Sequence, residues 1–304
     1  MTLAVLCPGQ GAQHPAMLEL AMSDANGRTA LDAAADVLRD DPRRWVASDA
    51  MFANALAQPL VCVAQNAQWQ ALRNVLPHPA AVAGYSVGEL SSYGIAGAID
   101  IGPLAQLARA RAGAMDDAAQ AHAGTLLAVR GLARRSIEAL CGEANAQVAI
   151  VTADDAFVVG GDDAALAAFS ARAEAQGAQV RSLRVGVAAH TRALAAAVAP
   201  FRAALERSTL GRPAVPVVAG IDATAVVTRE RAIATLAPQV AQTIEWAQCQ
   251  DALYERGCRT FLELTPGTAL SRMVRERFDD IEARAVDEFR SVAGVAAWAA
   301  RAGD

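Results

Sequence analysis

The stretch Gly84-Tyr85-Ser86-Val87-Gly88 places a serine between two glycines, directly after the apolar run at residues 80–83. Glycines two residues before and two residues after the serine allow a sharp strand-to-helix turn without Cβ clashes. Such a turn presents the hydroxyl at the carboxyl edge of a sheet, and it places the next backbone N–H near a helix N-terminus, where it can stabilise an oxyanion. The pattern predicts a nucleophilic serine in an α/β fold. A glycine-punctuated turn without catalytic function is the alternative for a five-residue pattern taken alone.

Composition excludes several classes of protein. The formal net charge is −5, aromatic residues make up 5% of the chain, and no basic run is interleaved with aromatics, so we expect no nucleic-acid partner. No apolar stretch reaches the roughly 18 residues of a membrane-spanning helix, and the first residues do not form a secretory signal. We therefore expect no membrane partner and a cytoplasmic location.

Absent residues and spacings are equally informative. The five cysteines show no Cys-x-x-Cys spacing, which indicates neither a zinc site nor a disulfide framework, and we expect no metal. All 27 basic residues are arginines. The lack of lysine excludes a phosphate-loop lysine, a Schiff-base lysine and a serine-lysine dyad.

The order of the predicted elements indicates two units in the 304 residues. Alternating strand and helix patterns in residues 1–123 and 189–304 predict a large hydrolase-like α/β domain with a mostly parallel sheet. Residues 124–188 instead follow the order β-α-β-β-α-β, which is typical of a small ferredoxin-like α+β subdomain inserted into the larger one. A cleft between two such units is a common place for a site.

Only four histidines are available as a base for the serine. His78 lies between two prolines and His122 lies in a polar connection, so we expect both to be solvated. His14 is close to the glycine- and amide-rich turn after the first strand, where it would lie near a site. His190 ends the small-residue run Gly186-Val187-Ala188-Ala189 at the predicted junction of the two units, and we favour it as the base.

Several motifs in order resemble those of the malonyl-CoA:acyl-carrier-protein transacylases and related acyltransferase domains, over nearly the whole chain. Residues 8–13, Pro-Gly-Gln-Gly-Ala-Gln, are similar to the family's N-terminal Pro-Gly-Gln-Gly-Ser-Gln, and residues 84–90 are similar to its Gly-His-Ser-x-Gly-Glu turn. The later matches are Arg111 with Met115 on one helix, His190, Gln239, and Leu-Glu-Leu-Thr-Pro-Gly at residues 262–267.

The resemblance implies a complete active site and its substrates. Malonyl-CoA is the implied donor, an acyl carrier protein the implied acceptor, and no bound cofactor is implied. A guanidinium forms two parallel hydrogen bonds to a carboxylate, which suits an arginine that selects malonyl over acetyl groups. The implied roles are Ser86 as nucleophile, His190 as base, the backbone N–H groups of Gln10 and Val87 as oxyanion hole, the main-chain carbonyl of Gln239 as the group that orients the histidine, and Arg111 as the carboxylate-binding residue.

Four positions depart from the family pattern without removing a catalytic group. Tyr85 replaces the usual histidine before the serine, Ala12 replaces a serine, and Ala188-Ala189 replaces Pro-Ser. Tyr85 in a chain of this length is similar to the malonyltransferase (epsilon) subunit of bacterial malonate decarboxylase, whose carrier bears a thiol group derived from dephospho-CoA. We favour that assignment, which adds the other malonate decarboxylase subunits as partners. The alternative is the transacylase of fatty-acid or polyketide synthesis.

Two functions from other classes stay open. A serine esterase or thioesterase shares the glycine-serine-glycine turn, but it normally has an acid ahead of the histidine, and the acids that precede His190 fall in the predicted small subdomain. A non-catalytic carrier-docking subunit would keep the fold without its chemistry. An acidic carrier also needs a basic surface, for which we expect Arg134 and Arg135, or Arg272, Arg275 and Arg277.

Overall fold

The protein is described by a computed structural model that covers residues 2–183 and 185–302. Its ten strands are β1 Leu3–Cys7, β2 Ala81–Gly84, β3 Thr125–Arg130, β4 Gln147–Ala153, β5 Ala156–Gly161, β6 Gln179–Ser182, β7 Val217–Val218, β8 Ala225–Val226, β9 Thr260–Glu263 and β10 Glu282–Ala285. Its helices are α1 Glu19–Ser23, α2 Ala25–Leu38, α3 Pro42–Trp45, α4 Asn54–Leu72, α5 Val87–Ile95, α6 Ile101–Ala121, α7 Arg134–Ala144, α8 Asp163–Ala175, α9 Ala195–Arg207, α10 Arg229–Gln239, α11 Trp246–Glu255, α12 Ala269–Arg277 and α13 Val292–Arg301.

The main sheet has six strands in the order β10-β9-β1-β2-β7-β8, and every pair is parallel except β7 with β8. The central strand β1 reads Leu-Ala-Val-Leu-Cys and is buried throughout. Helices that cover both faces of a parallel sheet explain such an unbroken apolar run. The carboxyl ends of β1 and β2 lie side by side, since Cys7 pairs with Gly84, and this edge carries the serine turn.

The second sheet is antiparallel, with the order β4-β5-β3-β6 and helices α7 and α8 packed on it around a core of their own. This is the predicted ferredoxin-like arrangement. Strand β4 is tied to the large unit through Ile244: the Val151 N–H donates to the Ile244 carbonyl at 2.8 Å, and the Ile244 N–H donates to the Ala149 carbonyl at 2.9 Å. The segment that follows α10 therefore runs along the small sheet.

The predicted fold class is confirmed: a mostly parallel α/β sheet carries a separate small α+β unit. The domain boundaries at residues 124 and 188 stay a prediction. The last strand of the small unit spans Gln179–Ser182, and Arg184 lies outside the described residues. Strand β10 was not expected because two of its four residues are charged, which an edge strand tolerates on its exposed side.

Two general features bear on earlier expectations. Within the described part of the chain, no helix has both the length and the apolar character needed to cross a membrane. All five cysteines are buried as free thiols. Burial raises the pKa of the Cys7 thiol to about 12, so this thiol, at the end of β1, stays protonated.

Candidate active site

The turn around Ser86 requires its glycines. Ser86 adopts φ 58° and ψ −119° between the end of β2 and the start of α5, a strained conformation typical of an exposed nucleophile. A Cβ at Gly84 would lie 2.1 Å from the carbonyl carbon of Gly88, and a Cβ at Gly88 would lie 2.0 Å from the carbonyl oxygen of Cys7. A larger residue at Gly84 would force β2 and α5 apart, and a larger residue at Gly88 would push the serine turn away from β1.

His190 is the histidine that meets the serine. The Ser86 Oγ lies 2.8 Å from His190 Nε2, and His190 Nδ1 lies 2.7 Å from the main-chain oxygen of Gln239. Because a carbonyl oxygen only accepts, Nδ1 carries the proton and Nε2 is left with the lone pair that faces the hydroxyl. The His190 main-chain N–H also donates to the Val240 carbonyl at 2.9 Å, so both ring and backbone are fixed by the end of α10.

The surroundings of His190 favour its neutral form. Burial, and secondly the positive charge of Arg111, lower the pKa of His190 to about 3, although the hydrogen bond to the Gln239 carbonyl acts in the opposite direction. At neutral pH the imidazole therefore keeps its lone pair. A neutral imidazole against a serine hydroxyl, with its other nitrogen fixed, is the arrangement of a general base.

Arg111 is a buried cation held by neutral groups. Its side chain is 1% exposed, Nη1 donates to Gln58 Oε1 at 2.7 Å, and Nη2 donates to Gln239 Oε1 at 2.9 Å. Among the described residues it forms no ion pair with a carboxylate. Burial lowers the pKa of Arg111 to about 10, which leaves the group charged at neutral pH. A buried cation with no carboxylate in direct contact is costly. The charge of Glu89, which lies beyond Gln239, offsets part of that cost, and an anionic ligand would relieve more of it.

Gln239 joins the histidine to the arginine. Its main-chain oxygen accepts a hydrogen bond from His190 Nδ1, and its side-chain oxygen accepts one from Arg111 Nη2. Its side-chain Nε2 donates to the Ser86 carbonyl at 3.1 Å and to Glu89 Oε2 at 2.6 Å. One glutamine thus contacts four groups of the site, whereas the sequence predicted only its main-chain carbonyl.

Gln58 and Glu89 belong to this hydrogen-bond network, and neither was predicted from the sequence as a site residue. Gln58 lies on α4, a helix buried almost all round, and a buried polar residue in such a helix was an available indication. Glu89 lies in the first turn of α5, three residues after the serine, with a fully buried side chain. Burial raises the pKa of Glu89 to about 7 against the opposing effect of its hydrogen bond to Gln239.

The loop after β1 lies against the serine turn. A Cβ at Gly9 would lie 3.0 Å from the Tyr85 carbonyl oxygen and 3.5 Å from the Ser86 Cβ, so glycine permits the close approach. Gln10 follows directly, and Val87 is the first residue of α5. Among the residues described, neither the Gln10 nor the Val87 backbone N–H donates to a protein acceptor. Both expected oxyanion donors are therefore free.

The other candidate residues form no hydrogen bond with Ser86 or His190 in the described part of the chain. His14 Nε2 lies 2.9 Å from Asp287 Oδ2 at a partly exposed position, and His78 and His122 are exposed. Arg109, two residues from Arg111, is exposed and donates to the Leu38 carbonyl at 3.2 Å.

The two expected basic clusters are largely occupied by acids and backbone. Arg134 pairs with Glu138 and Glu245 at 2.7 and 2.8 Å. Arg277 pairs with Asp251 at 2.6 Å. Arg272 lies 3.8 Å from Glu276, and Arg275 donates to the Ala283 carbonyl. These contacts weaken both clusters as carrier-docking surfaces.

Tyr85, the departure next to the nucleophile, packs rather than reacts. Its ring meets that of Trp246 edge to face, with centroids 5.6 Å apart at 79°. Burial raises the pKa of the Tyr85 phenol well above its usual range, so the group stays neutral. The side chain that replaces the family's histidine is therefore an aromatic contact between the serine turn and α11.

Fold, serine turn and buried histidine together define an α/β acyltransferase. The chain belongs to the acyl transferase domain family, whose family model matches residues 5–298. It is similar to the malonyl CoA-acyl carrier protein transacylase of Mycobacterium tuberculosis, with 30% identity over 290 residues, 93% of this chain and 96% of the relative.

Solved structures agree with this family. The acyl-carrier-protein S-malonyltransferase of Burkholderia pseudomallei matches with 27% identity and a TM-score of 0.92 over 98% of this chain and 100% of that one. A malonyl-transacylase solved in complex with its type II polyketide acyl carrier protein matches with 25% identity and a TM-score of 0.91, over 96% of this chain and 98% of that one. These matches support the fatty-acid or polyketide alternative better than the malonate decarboxylase subunit that Tyr85 suggested.

Proposed function

We propose that this enzyme is a malonyl-CoA:acyl-carrier-protein transacylase of the fatty-acid or polyketide type, which acts in the cytoplasm through a malonyl-serine intermediate. The observation that carries the proposal is the buried Arg111, which is held by two neutral amides near a serine–histidine pair. A reactive serine alone fits many acyl donors. A buried cation with no carboxylate in direct contact selects a donor whose acyl group ends in a free carboxylate.

In the first half of the cycle, the Ser86 hydroxyl attacks the thioester carbonyl carbon of malonyl-CoA. His190 Nε2 accepts the hydroxyl proton as the Oγ–C bond forms. The tetrahedral intermediate then expels the CoA sulfur, which takes the proton from His190 and leaves as a thiol. The product of this half-reaction is a malonyl ester on Ser86.

In the second half, the carrier thiol enters the vacated site and gives its proton to His190. Its sulfur attacks the ester carbonyl, the new thioester forms, and the Ser86 oxygen leaves and regains the proton. The enzyme returns to its starting state in a ping-pong cycle. A carboxylate as third member of a triad is not required, because the Gln239 carbonyl already fixes the tautomer of His190.

The free N–H groups of Val87 and Gln10 are the proposed oxyanion hole. Each tetrahedral intermediate carries a negative oxygen, and one preorganised donor contributes roughly 3 kcal/mol to its stabilisation. The position of Val87 at the start of α5 supports this role, since helix N-termini favour negative charge. The position of the Gly9 backbone, where an added Cβ would lie 3.5 Å from the Ser86 Cβ, supports the same role for Gln10, the next residue.

The proposed selectivity follows from how Arg111 is held. Gln58 and Gln239 fix the guanidinium by hydrogen bonds but leave its positive charge without a carboxylate in direct contact. A malonyl carboxylate can take that charge in a bidentate pair, whereas an acetyl group offers nothing to it. The neutral amides thus orient the cation without competing for it as a carboxylate would.

A transfer assay tests this function. The protein is incubated with malonyl-CoA and a holo acyl carrier protein, and malonyl-carrier and free malonate are quantified, with Ser86→Ala as the control. We expect malonyl-carrier to form and malonate release to be minor. Rapid malonate release without a carrier would indicate a hydrolase instead, and no turnover of malonyl-CoA would indicate a docking subunit. Preference for a carrier bearing the dephospho-CoA-derived group would restore the malonate decarboxylase assignment.

A further inference from the structure

Glu89 is the one carboxylate within hydrogen-bond distance of the Gln239 amide in the described chain. Its side chain is 0% exposed. Oε2 accepts from the Gly220 N–H at 2.9 Å and from Gln239 Nε2 at 2.6 Å, while the buried Oε1 has no partner among the described residues. A single oxygen of this buried acid, Oε2, therefore accepts all of its hydrogen bonds, and this oxygen faces Gln239.

That contact decides which way the Gln239 amide points. A side-chain amide has a donor end and an acceptor end, and an ionised carboxylate only accepts. The donor end must face Glu89, which leaves the acceptor end 2.9 Å from Arg111 Nη2. If the amide turned over, its oxygen would oppose the carboxylate and its NH₂ group would oppose the guanidinium. A proton on Oε1 would leave Oε2 an acceptor and would not change this choice.

Gly220 shows that the backbone is shaped around the same oxygen. A Cβ at Gly220 would lie 2.7 Å from Glu89 Oε2 and 3.8 Å from Gln239 Nε2. The absence of a side chain lets the Gly220 N–H reach the carboxylate. The glycine, the acid and the glutamine amide thus form a single arrangement behind Arg111.

We propose that Glu89 is a positioning residue for acyl-group selection, which holds the Gln239 amide in the orientation that fixes Arg111 for a substrate carboxylate. The inference rests on the proposed function, because it assigns Arg111 to that carboxylate. Glu89 does not touch the substrate in this account. Its effect reaches the acyl group through Gln239 and Arg111.

A purely structural role for Glu89 makes a different prediction. An acid that only stabilises the junction of α5 with the loop at Gly220 would, when replaced, lower transfer of every acyl group to the same extent. A positioning role through Arg111 lowers malonyl transfer selectively. The ratio of kcat/KM for malonyl-CoA to kcat/KM for acetyl-CoA separates the two roles.

The experiment compares Glu89→Met, which removes the acceptor at similar length, with Glu89→Gln, which keeps an oxygen for Gly220 and Gln239. Both variants are assayed at pH 8 with a holo acyl carrier protein, and folding is checked by thermal unfolding. We expect Glu89→Met to lower the malonyl-to-acetyl ratio about tenfold, as expected for a weakened hydrogen bond to a charged group. Glu89→Gln should keep the ratio within about threefold of the wild type.

Arg111→Ala separates failure of this inference from failure of the proposed function. In the Arg111→Ala background, Glu89→Met should not change the ratio further. If Arg111→Ala lowers the ratio but Glu89→Met lowers both activities equally, only the positioning role is lost. If Arg111→Ala itself leaves the ratio unchanged, the carboxylate role of Arg111 fails and the role of Glu89 fails with it.

Gly220→Ala keeps the test decisive if Glu89→Met does not fold. The new Cβ would crowd Glu89 Oε2 from the Gly220 side, and we expect it also to lower the ratio of kcat/KM for malonyl-CoA to kcat/KM for acetyl-CoA. A folded Gly220→Ala protein with an unchanged ratio would overturn the proposal.

Discussion

Replacement of Arg111 by alanine is the perturbation with the most specific consequence. The guanidinium is 1% exposed and its protein partners are neutral, so a bound malonyl carboxylate would form a buried ion pair. Removal of one partner from such a pair costs about 3–5 kcal/mol. Water that enters the vacated space would recover part of this energy, which leaves about 3 kcal/mol, or roughly a 100-fold loss of kcat/KM for malonyl-CoA.

Acetyl-CoA provides the internal comparison. Its acyl group lacks the carboxylate, so the loss with Arg111→Ala should stay within about threefold. Both substrates are assayed by the rate at which CoA is released in the presence of the carrier. Arg109→Ala is the matched control, because Arg109 lies on the same helix but is exposed and contacts only the Leu38 carbonyl among the described residues. It should leave both rates unchanged.

The pattern of losses decides the role of Arg111. Equal losses for malonyl and acetyl transfer would mean that Arg111 only supports the fold or the histidine. A malonyl loss no larger than that of Arg109→Ala would refute the carboxylate-binding role altogether.

Three further predictions follow from packing and charge. Gly88→Ala should destabilise the protein by about 3 kcal/mol or more, because the new Cβ would lie 2.0 Å from the Cys7 carbonyl oxygen. The control Gly113→Ala has open space around it and should be neutral or stabilising by up to about 1 kcal/mol. Equal free energies of unfolding in urea for the two variants would contradict this prediction. Burial raises the pKa of Glu263 from 4.5 to about 7, so its contribution to the free energy of unfolding is fully present below pH 4.5. As the pH rises to 7, about 3 kcal/mol of that free energy is lost. Glu263→Gln should remove this pH dependence, and an unchanged slope of unfolding free energy against pH would contradict the prediction. Because the pKa of His190 is lowered to about 3, the rate of serine acylation, measured by stopped flow, should show no decrease with an apparent pKa near 6.5 as the pH is lowered. Such a decrease would show that the histidine is not buried as described.

The sequence predicted the fold class and the central residues because their patterns are local. The glycines around Ser86 are needed by one tight turn, and the small unit shows its strand and helix order in some sixty consecutive residues. Strand β10 lacked such a pattern, since Glu282 and Arg284 break its apolar run at the sheet edge. Strand β7 also shows little in the sequence, since it spans only Val217–Val218 and follows Pro216, which has no N–H to donate to a neighbouring strand.

The pairing of Ser86 with His190 did not follow from spacing, since 104 residues separate them. The position of His190 after small residues, and the family resemblance, indicated it. Gln58 and Glu89 escaped prediction because their roles depend on a network that brings together α4, α5, α6 and α10. The lowered pKa of His190 also arises from tertiary burial and from Arg111, neither of which a single sequence displays.

The most direct test of this account is the intact mass of the protein after brief incubation with malonyl-CoA and an acid quench, measured beside Ser86→Ala. We expect one malonyl group on the wild-type chain, none on Ser86→Ala, and loss of the adduct when a holo acyl carrier protein is added. An adduct that persists on Ser86→Ala, or turnover of malonyl-CoA by that variant at the wild-type rate, would contradict the malonyl-serine intermediate.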